Sequence, residues 1–328
     1  MSDILEKTVT TTLVSSGQGG LLNAEQSNRF IDYMWDATAL AKEGRVVRMR
    51  ADTTEIDFVN VGAKIVRLAT EATDTGVNAD PTFSKISLTT RKLRLDWELS
   101  TESLEDNIEG TDLEDHVARL MATQAGNDIE DLAINGDTAL TGDPLYKAFN
   151  GFRKLALNNA HVVEGLSAAI TKEQYNKALK ALPRKYKQNR SQLRFYTGSN
   201  IVQNYLYGLS DLSVAPQTIV EQVYRGTVGG PDGAAGGTYP LAFGIPVKEI
   251  PFFREDLNAA GYSVATGTQG YLELTFPNNR IWGVKREIVT HREFKPKKDT
   301  WEFTVFTRIG IQVENWDAYV IVRDIDAA

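Results

Sequence analysis

The feature that most constrains the fold of this chain is one long amphipathic stripe in its first half. Thr111 and Glu114 have the spacing of a capping box, and apolar or small residues then recur at intervals of three and four. Asn135 and Gly136 end the pattern as a helix stop. The spacing predicts a helix over residues 112–135, which at about 1.5 Å per residue is a rod of about 36 Å. The stripe consists of Leu113, Val117, Leu120, Met121, Ala125, Ile129, Leu132 and Ala133.

A long charged stretch before this helix alternates with period two. The pattern runs from Arg45 to Leu99, with a turn region, DTGVNADPTF, between two runs rich in β-branched residues, and predicts a long hairpin. Because a two-stranded ribbon alone is only marginally stable in water, the hairpin is expected to dock on another surface. An edge position in a larger sheet is the alternative. The apolar positions of the second arm are Ile86, Leu88, Leu93, Leu95 and Trp97.

The two ends of the chain have different characters. Residues 1–22 are rich in Thr, Ser and Gly, which predicts an extended arm. Asn23 and Gln26 form a capping pair for a short amphipathic helix that reaches about Lys42. In the later part, strand and helix patterns alternate, and residues 271–325 are rich in β patterns, which together indicate a mixed fold.

Two helices and a loop are predicted in the middle of the chain. Thr171 and Gln174 cap one helix, and Pro183 ends it. The run LRFYT reads as a strand and SNIVQNYLYGL as a second helix. Residues 226–240 are a glycine-rich segment, interpreted as a surface loop.

Composition excludes several classes of protein. The chain has 328 residues, no cysteine and a formal net charge of −7, which excludes disulfides and thiolate metal sites and argues against a dedicated nucleic-acid binder. No apolar run is long enough to cross a bilayer and the first residues lack a signal-peptide pattern, so synthesis in the cytosol is expected. The basic groups, interpreted as solvated faces or subunit contacts, are Arg45, Arg48 and Arg50; Arg91, Lys92 and Arg94; Arg184, Lys185, Lys187 and Arg190; and Lys295, Lys297 and Lys298.

No pattern of catalytic, cofactor-binding or metal-binding residues is recognisable. His116, His161 and His291 lack metal-ligand spacing, the glycine-rich segment lacks the ending of a phosphate-binding loop, and no G-x-S-x-G turn occurs. The chain is therefore predicted not to be an enzyme. Adjacent acidic residues on helices point in different directions and are interpreted as parts of solvated faces; the pairs are Glu105 and Asp106, Glu114 and Asp115, and Glu130 and Asp131.

The order of these elements resembles the major capsid protein of tailed bacteriophages, which has the Hong Kong phage capsid fold shared with encapsulins. The match is carried by LSTESLEDNIEGTDLEDHVARLMATQAGNDIEDLAINGD at 99–137, PLAFGIPVKEIPFF at 240–253 and RIGIQVENWDAYVIVRDI at 308–325. The resemblance implies an α+β fold with an N-terminal arm (1–45), an extended β-hairpin loop (46–97), a peripheral domain (98–164 and 286–328) containing the spine helix at 112–135, and an axial domain (165–285).

The resemblance also implies a function. Copies of the chain are expected to form hexamers and pentamers of an icosahedral shell, assembled in the bacterial cytoplasm around double-stranded DNA without sequence-specific binding, with possible scaffolding, portal and decoration proteins. About 22 residues precede the first predicted helix, so a scaffolding segment is expected to be separate or already removed. Two alternatives remain: an encapsulin-like shell for protein cargo, and a soluble α/β enzyme whose site is not recognised.

Overall fold

The computed structural model describes residues 20–21, 38–60, 82–102, 112–140, 142–210, 240–258, 261–262, 269–285 and 289–327. The helices are α1 (Ala39–Glu43), α2 (Asp112–Asn135), α3 (Phe152–Asn159), α4 (Lys172–Ala181), α5 (Arg184–Lys187) and α6 (Ser199–Ser210). The strands are β1 (Gly20–Leu21), β2 (Arg45–Met49), β3 (Thr53–Asn60), β4 (Thr82–Thr89), β5 (Arg91–Ser100), β6 (His161–Ala169), β7 (Arg194–Thr197), β8 (Leu241–Ala242), β9 (Ile245–Glu249), β10 (Gln269–Thr275), β11 (Arg280–Lys285), β12 (Val289–Lys295), β13 (Thr300–Val313) and β14 (Val320–Asp326).

The first sheet is built around the long strand β13. On one side β5 pairs with it, from Thr300 opposite Ser100 to Ile309 opposite Arg91. On the other side β12 pairs with its first half and β11 with its second half. Strand β2 lies parallel to β11, and β1 pairs with β12 at the outer edge.

The second sheet has the strand order β6-β14-β10-β7-β9-β8. Its pairs β14 with β6 and β7 with β9 are parallel, whereas β10 is antiparallel to both neighbours. The final strand of the chain therefore lies inside this sheet, next to β10. Helices α4 and α6 pack on the sheet through Tyr175, Leu179 and Ile201, which belong to one buried apolar cluster.

Strands β3 and β4 form a separate two-stranded ribbon, in register from Thr53 opposite Thr89 to Asn60 opposite Thr82. The sequence predicted one hairpin from Arg45 to Leu99, and that extent is wrong, because β2 and β5 are members of the first sheet. The turn region of the predicted hairpin lies outside the described residues. Instead, β5 pairs with β13, which lies much later in the chain.

The spine helix, α2, has the predicted length and ends at Asn135. Its predicted apolar stripe is only partly correct. Ala125, Ile129 and Leu132 are buried, but Leu120 is 56% exposed and Met121 is also exposed. In the first half of the helix, Ala122 and the half-buried Val117 pack against Trp97 of β5 in the first sheet.

Several other local predictions are confirmed. Helix α4 has the predicted capping box between Thr171 and Gln174, and α6 covers the predicted SNIVQNYLYGL segment. A continuous helix from Asn23 to about Lys42 is wrong, because Thr38 is extended and a separate helix begins at Ala39; the first part of the predicted helix lies outside the described residues. The glycine-rich segment lies outside the described residues.

Candidate functional site: the ribbon base and the spine helix

The ribbon is attached to the first sheet by an apolar contact at its base. Leu88 of β4 is fully buried among Met49 of β2 and Ile281 of β11, with the partly buried Ile56 of β3 beside them. A Cβ atom at Gly283 would lie 2.7 Å from both Leu88 and Met49, so the missing side chain at this position makes room for the Leu88 side chain. Burial of the Leu88 side chain against β2 and β11 attaches the ribbon to the first sheet at this point.

Charged side chains also connect the ribbon to the first sheet, next to this apolar contact. Asp52, in the turn between β2 and β3, accepts hydrogen bonds from Arg308 of β13 and from Lys285 of β11, the latter at 3.0 Å. The Asp52 carbonyl also accepts a hydrogen bond from the Thr90 N–H at 2.8 Å. Hydrogen bonds from Arg308 and Lys285 hold the pKa of the Asp52 carboxyl below its ordinary value. Together these contacts define the ribbon base: Met49, Asp52, Leu88, Thr89, Thr90, Lys285, Arg308 and Gly310.

A glycine of β13 lets the ribbon backbone cross the sheet closely. A side chain at Gly310 would collide with the carbonyl of Thr89 and crowd the Cα atom of Thr90, 3.2 Å away. Farther along β13, the Gln312 side chain donates to the Ser87 carbonyl at 3.1 Å. The backbone of Thr89 and Thr90 lies in the space that a Cβ atom at position 310 would occupy, so a glycine there permits the close approach.

Beyond its base, the ribbon is polar and exposed where its side chains are described. Lys85 donates to Glu55 across the two strands at 2.9 Å, and Asp57 is exposed beside them. Among the described strands, neither β3 nor β4 pairs with any strand other than its partner in the ribbon. Because two strands bury little surface by themselves, the base contacts are the main source of stability for this projection.

The polar side of the spine helix is not a solvated face near its C-terminus, which corrects the prediction for Glu130 and Asp131. Glu130 is 1% exposed and accepts a hydrogen bond from the Leu40 N–H at 2.7 Å. Asp131 accepts hydrogen bonds from Tyr146 and from the Asn135 side chain. Glu130 is therefore buried against α1, and the partly buried Asp131 contacts Tyr146 in the turn at 144–147.

The end of the spine helix is bonded to three other segments. The Asn135 side chain donates to the Phe252 carbonyl at 2.7 Å, and the Asn135 carbonyl accepts a hydrogen bond from Tyr262 at 2.7 Å. The Gly151 N–H donates to the Gly136 carbonyl at 2.7 Å. Burial and the hydrogen bond to Asp131 raise the pKa of Tyr146 to about 12. The Asn-Gly stop therefore also joins the spine helix to the segments that follow it.

A buried charged pair lies between the two sheets. Arg280 of β11 donates to Glu273 of β10, and to the Tyr319 hydroxyl at 3.2 Å. Its guanidinium group also stacks 4.1 Å from the centre of the Tyr196 ring. Burial would lower the Arg280 pKa, but the negative charge of Glu273 and the neighbouring Tyr319 hold it above its ordinary value. This pair fixes β10 and β11 relative to each other across the 3₁₀ turn Pro277–Asn279.

The three histidines considered as metal ligands in the sequence lie on different elements of the structure. His116 is exposed on the spine helix, His161 begins β6, and His291 is on β12 with its ring 6.0 Å from that of Phe306. Of the residues that the structure describes, no three His, Asp or Glu side chains are grouped so that they would hold a metal ion. Glu105 and Asp106, and the side chains of Glu114 and Asp115, lie outside the described part of the chain. Among the described helices, none has the length and apolar character that a membrane span needs.

Several of the basic side chains singled out in the sequence form ion pairs with acidic side chains. Arg45 pairs with Glu314, Arg94 with Asp96, and Lys298 with Glu98 and Glu302. These contacts agree with the interpretation of solvated surfaces crossed by exposed ion pairs.

The sequence did not identify Asp52, Arg308 and Gly310 as members of one junction. They are far apart in the chain and meet only where the ribbon crosses β13. The available signal was Gly310 inside the alternating strand pattern RIGIQV, because a glycine within a strand often marks a close backbone approach.

The chain was compared with family models, curated proteins and solved structures. No family model matches the chain. A putative prophage capsid protein of Bacillus subtilis (strain 168) is 29% identical over 283 residues, which is 84% of this chain and 84% of that protein.

Three solved structures share the architecture over nearly the whole chain. A chain of the satellite phage P4 procapsid has a TM-score of 0.66 at 13% identity and is matched over 98% of this chain and 97% of that chain. The capsid of an empty GTA particle has a TM-score of 0.58 at 15% identity, over 94% and 93%. The SrpI encapsulin complex from Synechococcus elongatus PCC 7942 has a TM-score of 0.60 at 12% identity, over 98% and 96%. The chain therefore has the Hong Kong phage capsid fold, and the resemblance found in its sequence is confirmed.

Proposed function

We infer that this chain is the major capsid protein of a tailed phage or prophage, a structural subunit that assembles with copies of itself into a shell. The observation that carries this inference is the fold shared with the phage P4 procapsid over 98% of the chain. The sequence similarity to a prophage capsid protein supports it independently. We further propose that the chain has no catalytic role.

The ribbon gives the chain a physical means of assembly. It projects from the first sheet, is firmly held at Leu88 and Asp52, and presents polar strands with no further partner among the described strands. A neighbouring subunit is the surface on which such a ribbon would dock. Several modest contacts of this kind, repeated around a closed shell, give a strong total hold through multivalency.

The regions of the chain receive corresponding roles in this proposal. Residues 1–45 are the arm, 46–97 the extended loop, 98–164 and 286–328 the peripheral domain, and 165–285 the axial domain near the axis of each capsomer. Hexamers and pentamers of the chain form an icosahedral shell in the bacterial cytoplasm and enclose double-stranded DNA. Scaffolding, portal and decoration proteins are the further partners that such a shell uses.

Electron microscopy of the purified full chain tests the assembly function. After gel filtration, negatively stained particles are expected to be uniform shells, or rings of five and six subunits. The chain is to be expressed alone and together with its neighbouring genes, since a separate scaffolding protein would be encoded there. A persistent 36.3 kDa monomer under both conditions would contradict the proposal.

An encapsulin-like shell is the second candidate, because the SrpI encapsulin complex matches with a TM-score of 0.60. The contents of recovered particles distinguish the two. Particles purified from the phage-producing host and treated with nuclease are expected to retain protected double-stranded DNA. Particles that contain one enzyme and no protected DNA would favour the encapsulin alternative.

A further inference from the structure

No other described segment of the chain is as long and as basic without containing an acidic residue. Residues 174–210 contain seven Lys and Arg residues and no Asp or Glu, in a chain whose net charge is −7. One surface of this segment is formed by the end of α4, by α5 and by the 3₁₀ turn Arg190–Gln192. We name it the basic surface, and its members are Lys180, Arg184, Lys185, Lys187 and Arg190.

Most of the charge on this surface is not neutralised within the described part of the chain. Lys180, Arg184 and Arg190 are exposed and have no ion pair with a described residue. Lys187 donates to the Lys180 backbone carbonyl at 3.2 Å. Of this surface, only Lys185 meets a described carboxylate, Asp317 at 3.5 Å. By contrast, Lys298 near the other end of the chain has two carboxylate partners, Glu98 and Glu302.

The segment has little part in the core. Neither α5 nor the following 3₁₀ turn contains a buried residue, and the segment is tethered chiefly through Tyr186, which packs on Phe276 and accepts a hydrogen bond from Asn315. Its remaining exposed side chains are Gln188, Asn189, Ser191 and Gln192. All of these are hydrogen-bond donors, so the segment combines cations and neutral donors without a carboxylate acceptor.

We infer that the basic surface binds the phosphate backbone of double-stranded DNA inside the shell. The inference rests on the proposed function, since it assigns an interior contact to a DNA-containing particle. Lys, Arg, Asn, Gln and Ser side chains are the donors that proteins use toward phosphate oxygens, and such contacts carry no sequence information. The acidic character of the whole chain means that attraction to DNA requires a local surface of this kind.

Salt-dependent binding to the unassembled full-length chain tests the inference. Fluorescence anisotropy of a labelled duplex of about 30 base pairs measures the binding constant at several salt concentrations. The logarithm of that constant should fall linearly with the logarithm of the salt concentration, with a slope of about −0.9 for each phosphate that the protein neutralises. The double variant Arg184→Gln/Arg190→Gln is expected to reduce that slope by about 2 and to weaken binding equally for two unrelated sequences.

A matched control removes the same charge elsewhere. Arg48 in β2 and Arg50 directly after it are also exposed, and Arg48→Gln/Arg50→Gln is expected to leave the slope unchanged. The inference is overturned if this control changes the slope as much as Arg184→Gln/Arg190→Gln does, or if the latter changes nothing. It is also overturned if polyglutamate of equal charge displaces the duplex as well as unlabelled DNA, because the surface would then fit an acidic polypeptide.

Microscopy of the same three proteins separates this inference from the proposed function. Wild type and both variants are expected to form shells, since neither pair contributes to the buried core. Shells with no difference in DNA binding would overturn the inference and leave the capsid function intact. Binding at the basic surface by a wild-type chain that never forms shells would instead contradict the capsid function.

Discussion

The backbone N–H of Leu40 donates a hydrogen bond to the Glu130 carboxylate, with 2.7 Å between nitrogen and Oε1. Leu40 is the second residue of α1, whose N-cap residue Thr38 makes no side-chain cap. The spine helix thus supplies the cap that α1 lacks. Ninety residues of sequence separate the two partners.

Replacement of Glu130 is therefore expected to weaken the fold. Glu130→Leu leaves the buried Leu40 N–H without this acceptor and should lower the free energy of unfolding by about 1–3 kcal/mol. Glu130→Gln keeps an acceptor oxygen and should cost less. Urea unfolding of the unassembled subunit measures both. Asp128→Asn, at an exposed site on the same helix, is the control and should change stability by less than about 0.5 kcal/mol. Equal stability of Glu130→Leu and wild type would contradict the capping role.

Gly310→Ala is expected to disturb the ribbon base. The added Cβ atom collides with the Thr89 carbonyl, so β13 and the ribbon must separate, at a cost of about 1–3 kcal/mol. Because the ribbon is proposed to dock on neighbouring subunits, fewer complete shells should form. Thermal unfolding and particle counts from negative stain measure the two effects. Gly142→Ala is the control, since no atom lies within 4 Å of a Cβ there; a normal shell yield for Gly310→Ala would show that assembly does not need this close approach.

Asp52 should stabilise the subunit only while it is ionised. Its pKa in the folded state is below the ordinary value of 3.8, chiefly through hydrogen bonds from Arg308 and Lys285. The stabilisation is therefore present above that value and is lost as the pH falls through the lower folded-state pKa. Asp52→Asn should melt at a lower temperature than wild type at pH 5–7 (about 1–3 pH units above the ordinary carboxyl pKa). The difference should shrink as the pH falls below that ordinary value and vanish once the pH is below the folded-state pKa.

Salt provides the control for Asp52. Its side chain is largely exposed, so raising the salt concentration toward about 1 M should also reduce the difference in melting temperature. A difference that persists unchanged in acid and in salt would show that the charge of the Asp52 carboxylate is not its cause, since the backbone carbonyl that bonds Thr90 is the same in both proteins.

Removal of one member of the buried pair should destabilise the fold more than removal of both. Arg280→Met leaves Glu273 buried without its cation and should cost about 3–5 kcal/mol. Arg280→Met/Glu273→Leu removes the stranded charge and should recover part of that loss. Denaturant unfolding of the two single variants and the double variant gives the coupling free energy. Additive losses would contradict a direct interaction between Arg280 and Glu273.

Helices with strong local signals were predicted correctly from sequence. Each of these signals depends on residues that lie within a few helical turns of one another. Examples are the capping pair Thr171 and Gln174 and the helix stop Asn135-Gly136. Such signals act through backbone hydrogen bonds that form inside one segment, so they hold whatever the rest of the chain does.

Strand partners and side-chain environments were predicted less well. The alternation from Arg45 to Leu99 specified strands but not their partners, and β5 pairs with β13, about two hundred residues away. Leu120 belongs to the apolar stripe by spacing, yet it is exposed, whereas the acidic Glu130 is buried. Which side of a helix is covered depends on elements that pack against it from elsewhere in the chain.

The sequence by itself determined the long spine helix, the helix capped by Thr171 and Gln174, the β-rich end and the order of elements that resembles phage capsid proteins. Only the tertiary structure decided that Asp52, Leu88, Arg308 and Gly310 form one ribbon base, and that Arg280 and Glu273 make a buried pair. The physical reason is range: capping and periodicity depend on neighbours along the chain, whereas strand pairing, burial and charge pairing depend on which distant segments meet in space.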